Sequence, residues 1–204
     1  ELDFAYPETV NMTSYKPTFR GHSKQIKQAV SLISTARKPL LYVGGGVIAS
    51  GAAKELKELA ELMQIPVTTT MMGKSCFPED HHLWIGMPGM HGAKYTNYSI
   101  TEADLLIAIG VRFDDRVTGK LTTFANKAKI IHVDVDPAEI GKNKAVDIPI
   151  VGDVRETLKE LNEAIEAYPA PEADAWRRQL GIMKARYQPR WEAPPDGRLS
   201  PQEV

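Results

Sequence analysis

The sequence has one cysteine, Cys76, and nowhere a run of about 20 apolar residues, the length that crosses a bilayer. A single cysteine excludes an internal disulfide framework and fits a reducing compartment. Without a long apolar run no transmembrane helix is predicted, and we expect a cytoplasmic protein. Lysine and arginine total 25, and aspartate and glutamate total 26. This balance provides no basic field for nucleic acid and no polybasic patch for a membrane surface.

Common catalytic motifs are also missing. The sequence contains no G-x-S-x-G, no H-E-x-x-H and no G-x-x-x-x-G-K-[ST]. His81 and His82 lack the helical spacing of metal ligands, and His91 has no companion nearby. Cys76 has no histidine or aspartate arrangement that marks a reactive thiol, so we interpret it as an ordinary one. We therefore predict no catalytic residue and no metal site in this chain.

What is present is a regular alternation of apolar strands and amphipathic helices. Apolar runs predict strands at residues 40–43, 65–70, 105–109, 130–135 and 148–151. Between them, apolar residues at helical spacing predict helices, one capped by Ser23 and one capped by Asp153 with Glu156 three residues on. This order predicts an α/β fold: a parallel sheet of about five or six strands with helices on both faces.

Both ends of the sequence read as chain interior. The first residue is not methionine, and no charged-then-apolar leader follows it, so no signal peptide is predicted. We expect a piece of a longer protein, with residues 1–19 a linker from a missing N-terminal domain and 20–168 the central domain. Residues 169–204 contain one amphipathic segment with Trp176, Leu180 and Met183, and are predicted to be a linker toward a missing C-terminal domain.

A glycine-rich turn follows the first predicted strand. Gly44-Gly45-Gly46-Val47-Ile48-Ala49 fits G-x-G-x-x-A, a loop whose backbone N–H groups can approach a phosphate. The nicotinamide version of this fold needs an acidic residue at the end of the second strand, where this chain has Thr68-Thr69-Thr70. A nicotinamide dinucleotide is therefore disfavoured. The alternative is that the glycines serve only tight packing.

Charged residues follow two later strands. After Leu105–Ile109 come Gly110 and then Arg112, Asp114, Asp115 and Arg116. Two guanidiniums at a sheet edge suit a phosphate; the less favoured alternative is a surface loop in which they form ion pairs with the neighbouring carboxylates.

Two aspartates end the fourth strand. Asp134 and Asp136 can accept hydrogen bonds from a ribose or an adenine, or simply cap the turn at Pro137. We identify no third acidic ligand beside them, which disfavours a metal. The segment from Met87 to Gly92 offers an apolar surface suited to a flat ring system. The residues alone thus indicate a nucleotide-binding α/β domain.

Six blocks of the sequence resemble one family. They read, in order, Y-V-G-G-G, I-P-V-T-T-T-M-M-G-K, G-M-P-G-M-H-G, G-V-R-F-D-D-R-V-T-G, H-V-D-V-D-P-A-E-I and V-G-D-V. Over about residues 19–165 they resemble the central FAD-binding domain of acetohydroxyacid synthase (acetolactate synthase) large subunits, a Rossmann-like domain of thiamine diphosphate enzymes.

The resemblance implies the chemistry of a longer parent enzyme. That enzyme condenses two 2-ketoacids, pyruvate with pyruvate or with 2-ketobutyrate, and releases CO₂ in branched-chain amino acid biosynthesis. It uses thiamine diphosphate and Mg²⁺ at sites outside this chain, and FAD in this domain without net redox. The resemblance also implies a homodimer or higher oligomer and a regulatory small subunit. This chain alone is expected to be inactive.

The resemblance also implies which residues hold FAD. The diphosphate and ribityl are expected near Gly44, Gly45, Gly46, Gly110, Val111 and Arg112. The flavin is expected near Thr70, Met71, Met72, Pro88, Gly89, Met90 and His91. Asp114, Arg116 and Val117 are expected to border the cofactor, and Asp134, Val135, Glu139, Asp153 and Val154 to hold the adenosine end. The substrate channel is expected at Met90, Asp115 and Arg116. Two positions depart from the family: Met72 stands where many members have Gln, and Pro88 where many have Leu.

Two other functions compete with this one. The chain could be the central domain of another thiamine diphosphate decarboxylase or oxidase, which binds ADP, redox-active FAD or nothing. That alternative predicts loss of the R-F-D-D-R block, which is present. A non-enzymatic assembly module that builds the oligomer is the third possibility.

Overall fold

The structure, a computed structural model, describes residues 18–188 and the single positions 3, 8 and 9. Most of the linker predicted at 1–19 and the last part of the linker predicted at 169–204 therefore lie outside the described residues. Within the described part, no helix is long and apolar enough to cross a membrane.

The centre of the fold is a five-stranded sheet in which every pairing is parallel. Its strands are β1 (Pro39–Val43), β2 (Val67–Thr69), β3 (Leu105–Ile109), β4 (Lys129–Asp134) and β5 (Ile148–Val151). The prediction of a parallel α/β sheet is confirmed. The second strand is shorter than the predicted 65–70, because the Ile65 N–H donates to Ala60 at the end of the preceding helix. Pro66 follows and has no N–H to donate to a ladder.

Helices cover both faces of this sheet, as predicted. They are α1 (Ser23–Thr35), α2 (Gly45–Ala49), α3 (Ala53–Met63), α4 (Lys94–Glu102), α5 (Asp115–Thr118), α6 (Val154–Ile165) and α7 (Asp174–Tyr187). α1, α3 and α6 pack on one face, against alternate residues such as Ile107 and Ile131. α4 and α7 pack on the other face, against Leu106 and Ala108. Because both faces are covered, every residue of β3 is buried, which explains its continuous apolar run.

Helix α7 falls within the segment that was predicted to be a linker. Its Trp176 is 1% exposed, and Leu180 is buried beside it against the sheet. The indole Nε1–H of Trp176 donates to the Pro39 carbonyl at 3.1 Å. Residues 174–187 thus share the core of the preceding strands and helices. The amphipathic spacing of the apolar residues was seen in the sequence, but not that the helix folds back onto β1.

Two helix starts show how local sequence positions these elements. α1 begins at Ser23, and its cap is His22, whose Nδ1 accepts from the Lys24 N–H at 3.3 Å. The predicted Ser23 cap was therefore wrong by one residue. Asp153 caps α6 as predicted, because its Oδ1 accepts from the N–H groups of Arg155 and Glu156. The Asp153 N–H donates to the Phe19 carbonyl.

Strand order determines where a ligand can enter. The order is β2-β1-β3-β4-β5, so the chain leaves β1 toward one side for β2 and returns to the other side for β3. In open parallel sheets, ligands bind beyond the carboxyl ends of the strands at such a switch point. Here that point lies at the carboxyl ends of β1 and β3, which are neighbours in the sheet.

Candidate functional site

A cleft of about 690 Å³ lies at this switch point. Its walls come from the segments that follow β1, β2, β3 and β4. The lining residues are Tyr42, Gly44, Gly45, Gly46, Thr70, Met71, Met72, Gly110, Val111, Arg112, Phe113, Asp114, Arg116, Val117, Asp134, Asp136 and Glu139. Of the residues proposed from sequence, most are thus brought together at one edge of the sheet.

The loops after β1 and β3 touch through their glycines. The Gly46 N–H donates to the Gly110 carbonyl at 3.1 Å, and Gly44 donates to Ile109. A Cβ on Gly44 would lie 2.3 Å from the Gly110 oxygen, and one on Gly46 would lie 2.6 Å from the Gly110 Cα. Packing therefore requires these two glycines whether or not a phosphate binds. The open backbone they leave still lines the cleft.

In the loop after β3, two exposed charged side chains flank a buried aromatic one. Arg112 and Asp114 are exposed, and their side chains approach to 3.4 Å. An exposed pair at this distance contributes little to stability. Between them Phe113 is buried, with a left-handed φ of 51°. The guanidinium of Arg112 is thus held at the cleft in a weak pair that an anion can displace.

Acidic side chains gather where β4 ends. The Asp134 carboxylate accepts from the Asp136 N–H at 2.9 Å, and Asp136 accepts from the Ala138 N–H at the same distance. Both therefore cap the turn at Pro137, which was the alternative to binding a ribose or an adenine. Glu139 joins them in the cleft wall. Burial raises the pKa of Asp134, and its backbone hydrogen bond opposes that rise.

Exposed methionines line the opposite end of the cleft. Met71 and Met72 follow β2 in a short 3₁₀ turn and are 63% and 73% exposed. Thr70 is buried and caps this turn through its hydroxyl, which accepts from the Gly73 N–H at 3.2 Å. Two adjacent exposed methionines in the wall of a cleft offer an apolar surface that a ligand can cover.

Several proposed residues lie beside the cleft rather than in its lining. The segment with Pro88, Gly89, Met90 and His91 reaches the start of α5, where the Met90 N–H donates to the Arg116 carbonyl at 3.1 Å. Asp115 lines a neighbouring depression. Val135, Asp153 and Val154 also lie outside the lining. Their roles stay predictions.

Two lining residues had no sequence signal. Tyr42 lies in β1 and reads as one more residue of a buried strand, and Phe113 reads as part of a loop. Their rings lie 5.7 Å apart. Burial, and then the nearby Asp114 carboxylate, raise the pKa of Tyr42, so its phenol stays neutral. The alternation of side chains along β1 could have shown that Tyr42 shares a face with Leu40.

The single cysteine lies away from the cleft. Cys76 is buried in the larger of the two core clusters, and burial raises the pKa of its thiol to about 11. We expect a thiol reagent at pH 7 to react about 100-fold more slowly with the folded chain than with the denatured chain, because less thiolate forms. The absorbance of the leaving group that the reagent releases measures the rate in each state. Equal rates would contradict the burial.

Comparisons with known proteins assign the chain to a family. Residues 26–161 match the family model described as thiamine pyrophosphate enzyme, central domain. The chain belongs to the thiamine pyrophosphate enzyme family. The chain is 52% identical over 181 residues to a probable acetolactate synthase large subunit of Methanocaldococcus jannaschii, covering 89% of this chain and 31% of that protein. It is 51% identical over 206 residues to the acetolactate synthase large subunit of Corynebacterium glutamicum, covering 100% of this chain and 33% of that protein.

A third relative is similar to the same extent. The chain is 48% identical over 207 residues to the acetolactate synthase of Mycobacterium avium, covering 100% of this chain and 33% of that protein. The resemblance drawn from the six sequence blocks is thereby confirmed. The chain spans about a third of the length of the curated relatives that it matches.

Proposed function

We propose that this chain is the cofactor-binding central domain of an acetolactate synthase large subunit, and that its cleft binds FAD. The names of relatives near half identity support the enzyme. The order of side chains along the sheet edge supports the cofactor. The cofactor part rests on residues of this chain and is open to a direct test.

The observation that carries the proposal is the sequence of chemistries along the cleft. The strand order β2-β1-β3-β4 places exposed Met71 and Met72 at one end, glycine backbone and Arg112 in the middle, and the Asp134 region at the other end. An apolar end suits an isoalloxazine ring. A guanidinium and an open backbone suit a diphosphate, and carboxylates suit the hydroxyls of a ribose.

The parent activity follows from the relatives and the resemblance. We propose that the longer protein condenses two 2-ketoacids, pyruvate with pyruvate or with 2-ketobutyrate, and releases CO₂. Thiamine diphosphate and Mg²⁺ would supply the carbanion chemistry at sites outside this chain. The domain described above would bind and orient FAD, and would be inactive alone. The proposal includes a cytoplasmic oligomer that recruits a regulatory small subunit.

Binding of FAD to the 204-residue chain tests the cofactor. We expect flavin fluorescence to titrate to saturation, and ADP to bind more weakly because it leaves Met71 and Met72 uncovered. A domain that prefers ADP, as in other members of the family, would show the reverse order. An assembly module would give no saturable signal with either ligand.

Replacing Arg112 with alanine is expected to weaken FAD binding by about 1–3 kcal/mol, roughly a 5- to 150-fold higher Kd, because a charge-assisted hydrogen bond is lost. The matched control is Arg178→Ala, since Arg178 is exposed on α7 and does not line the cleft. We expect that variant to bind FAD like the wild type. The same Kd in all three proteins would exclude Arg112 from the phosphate contact.

A further inference from the structure

We propose that His132 is a positioning residue for this cleft: its imidazole holds the loop after β3 in the strained form that presents Arg112 and Asp114. The proposal concerns a residue on β4 that contributes nothing to the cleft lining. For its ligand it rests on the proposed FAD site, but its structural part can be tested without FAD.

His132 is fully buried in the sheet. On β4 it pairs in register with Ala108 of β3, and it points to the face opposite Ile131 and Val133. Its Nε2 lies 2.8 Å from the carbonyl oxygen of Val111. Val111 is the second residue after β3 and lines the cleft. A buried side chain of one strand is thus bonded to the backbone of the ligand loop of its neighbour.

The bonding partners determine the protonation state of the ring. A carbonyl oxygen only accepts, so the hydrogen of the neutral imidazole lies on Nε2. Nδ1 is buried and has no hydrogen-bond partner among the residues that the structure describes. The neutral ring leaves only a lone pair unpaired there, whereas protonation would bury an N–H without an acceptor together with a positive charge. The site therefore suits neutral imidazole in a single tautomer.

The ring also supports the most strained residue of the loop. Phe113 has a φ of 51°, which is unfavourable for a side chain with a Cβ. Its ring meets the His132 ring edge to face, with centroids 5.1 Å apart and planes at 84°. Tyr42 and Phe124 pack against it from other directions, at 5.7 and 6.2 Å. Strain of this kind persists only where neighbouring groups hold it.

The consequence for the cleft is geometric. Because Phe113 is turned into this aromatic group, the residues on either side of it face outward. Those residues are Arg112 and Asp114, both exposed. If the Val111 carbonyl were released, Phe113 could relax toward an ordinary φ and Arg112 would lose its fixed direction. Positioning a charged donor in advance lowers the cost of binding an anion.

Burial of the His132 ring and the charges near it predict that the free energy of unfolding depends on pH. The groups that face His132 are Asp134, whose Oδ2 lies 4.0 Å from Nε2, and Glu139, while Tyr42 in the aromatic group stays neutral. Burial lowers the pKa of His132, and the Val111 bond, Asp134 and Glu139 only partly oppose it. The unfolded chain then gains a proton at higher pH than the folded chain. The contribution of His132 to the free energy of unfolding is complete above its ordinary pKa of 6.5. It is lost as pH falls below that value.

Two substitutions separate the hydrogen bond from the volume. His132→Gln keeps an N–H donor near the position of Nε2, and His132→Met keeps similar bulk without a donor. We expect hydrogen exchange in residues 111–118 at pH 7.5 to be about 2- to 10-fold faster in the Met variant, the factor that one hydrogen bond contributes. The Gln variant should match the wild type. Equal exchange in all three proteins would overturn the proposal.

FAD binding by the same proteins provides the functional readout. We expect the Kd of the Met variant to be about 10-fold higher at pH 7.5, and that of the Gln variant to be unchanged. Protonation keeps the Nε2–H donor, so below pH 6.5 the wild type should lose free energy of unfolding rather than FAD affinity, and the Gln variant should lose less of that free energy. If the wild type binds no FAD, the proposed function fails, and the exchange result still decides the role of His132.

A measurement on the wild type covers the case in which a variant does not fold. Nitrogen-15 NMR of the imidazole is expected to show the Nε2–H tautomer and a pKa below 6.5 for His132. A hydrogen on Nδ1, or a ring that is charged at pH 7, would overturn the proposal without any substitution.

Discussion

Replacing Gly110 with alanine is expected to lower the free energy of unfolding by about 2–5 kcal/mol. Two causes add up. Gly110 has a φ of +58°, which an L-residue with a side chain adopts only at a cost. Its Cβ would also lie 2.6 Å from the Gly46 Cα and 3.0 Å from the Gly46 backbone N and C atoms. Backbone cannot rotate away as a side chain can, so the two loops must separate. Urea unfolding measures the loss.

Gly51→Ala is the matched control. Gly51 also has a positive φ, +65°, but a Cβ there would meet no atom of the described residues within 4 Å. This variant retains the conformational cost without the clash, and we expect a loss of about 1–2 kcal/mol. If the two variants lose the same stability, the contact between Gly46 and Gly110 is not as close as described. The cleft would then be built differently at its centre.

Replacing Trp176 with alanine is expected to cost about 3–5 kcal/mol, which makes it the other large effect. The indole is buried between α7 and the sheet, and its removal leaves a cavity that neighbours cannot close. It also leaves the Pro39 carbonyl without its donor. Thermal or urea unfolding of the 204-residue chain would show the loss as a lower midpoint.

Two controls divide this effect into its parts. Trp176→Phe keeps most of the apolar contact and removes the hydrogen bond, so we expect a smaller loss, near 1–2 kcal/mol. Ile182→Ala removes a side chain on the same helix that is 69% exposed, and should change stability by less than about 0.5 kcal/mol. If Trp176→Ala is as mild as Ile182→Ala, then α7 does not belong to this core and the segment is a linker after all.

The extent of the domain shows what local pattern cannot decide. The spacing of Trp176, Leu180 and Met183 identifies an amphipathic segment, but a helix that docks on its own sheet and one that leads to another domain have the same spacing. Which surface covers the apolar face depends on residues far away in sequence. Here the apolar face of α7 packs against the face of β1 and β3 that α1, α3 and α6 leave uncovered.

For the ligand site, too, the sequence predicted some features and only the structure shows the others. Charged and glycine-rich segments after apolar runs predicted that the loops following β1, β3 and β4 carry the chemistry, because strand ends meet at one edge of a parallel sheet. The strand order that joins Met71 to the Gly44 loop, and that loop to Asp134, is visible only in the structure. Phe113 and His132 could not be identified from sequence, since their roles rest on a backbone angle and on a contact between two strands.

The sequence by itself determined the class of fold, the parallel sheet and the family, because periodicity, buried runs and six motif blocks are properties of consecutive residues. Only the tertiary structure decided that α7 belongs to the core, that Gly46 and Gly110 touch, and that a buried histidine supports the loop with Arg112. These are contacts between residues distant along the chain. They depend on how strands are ordered and packed, which no local pattern records.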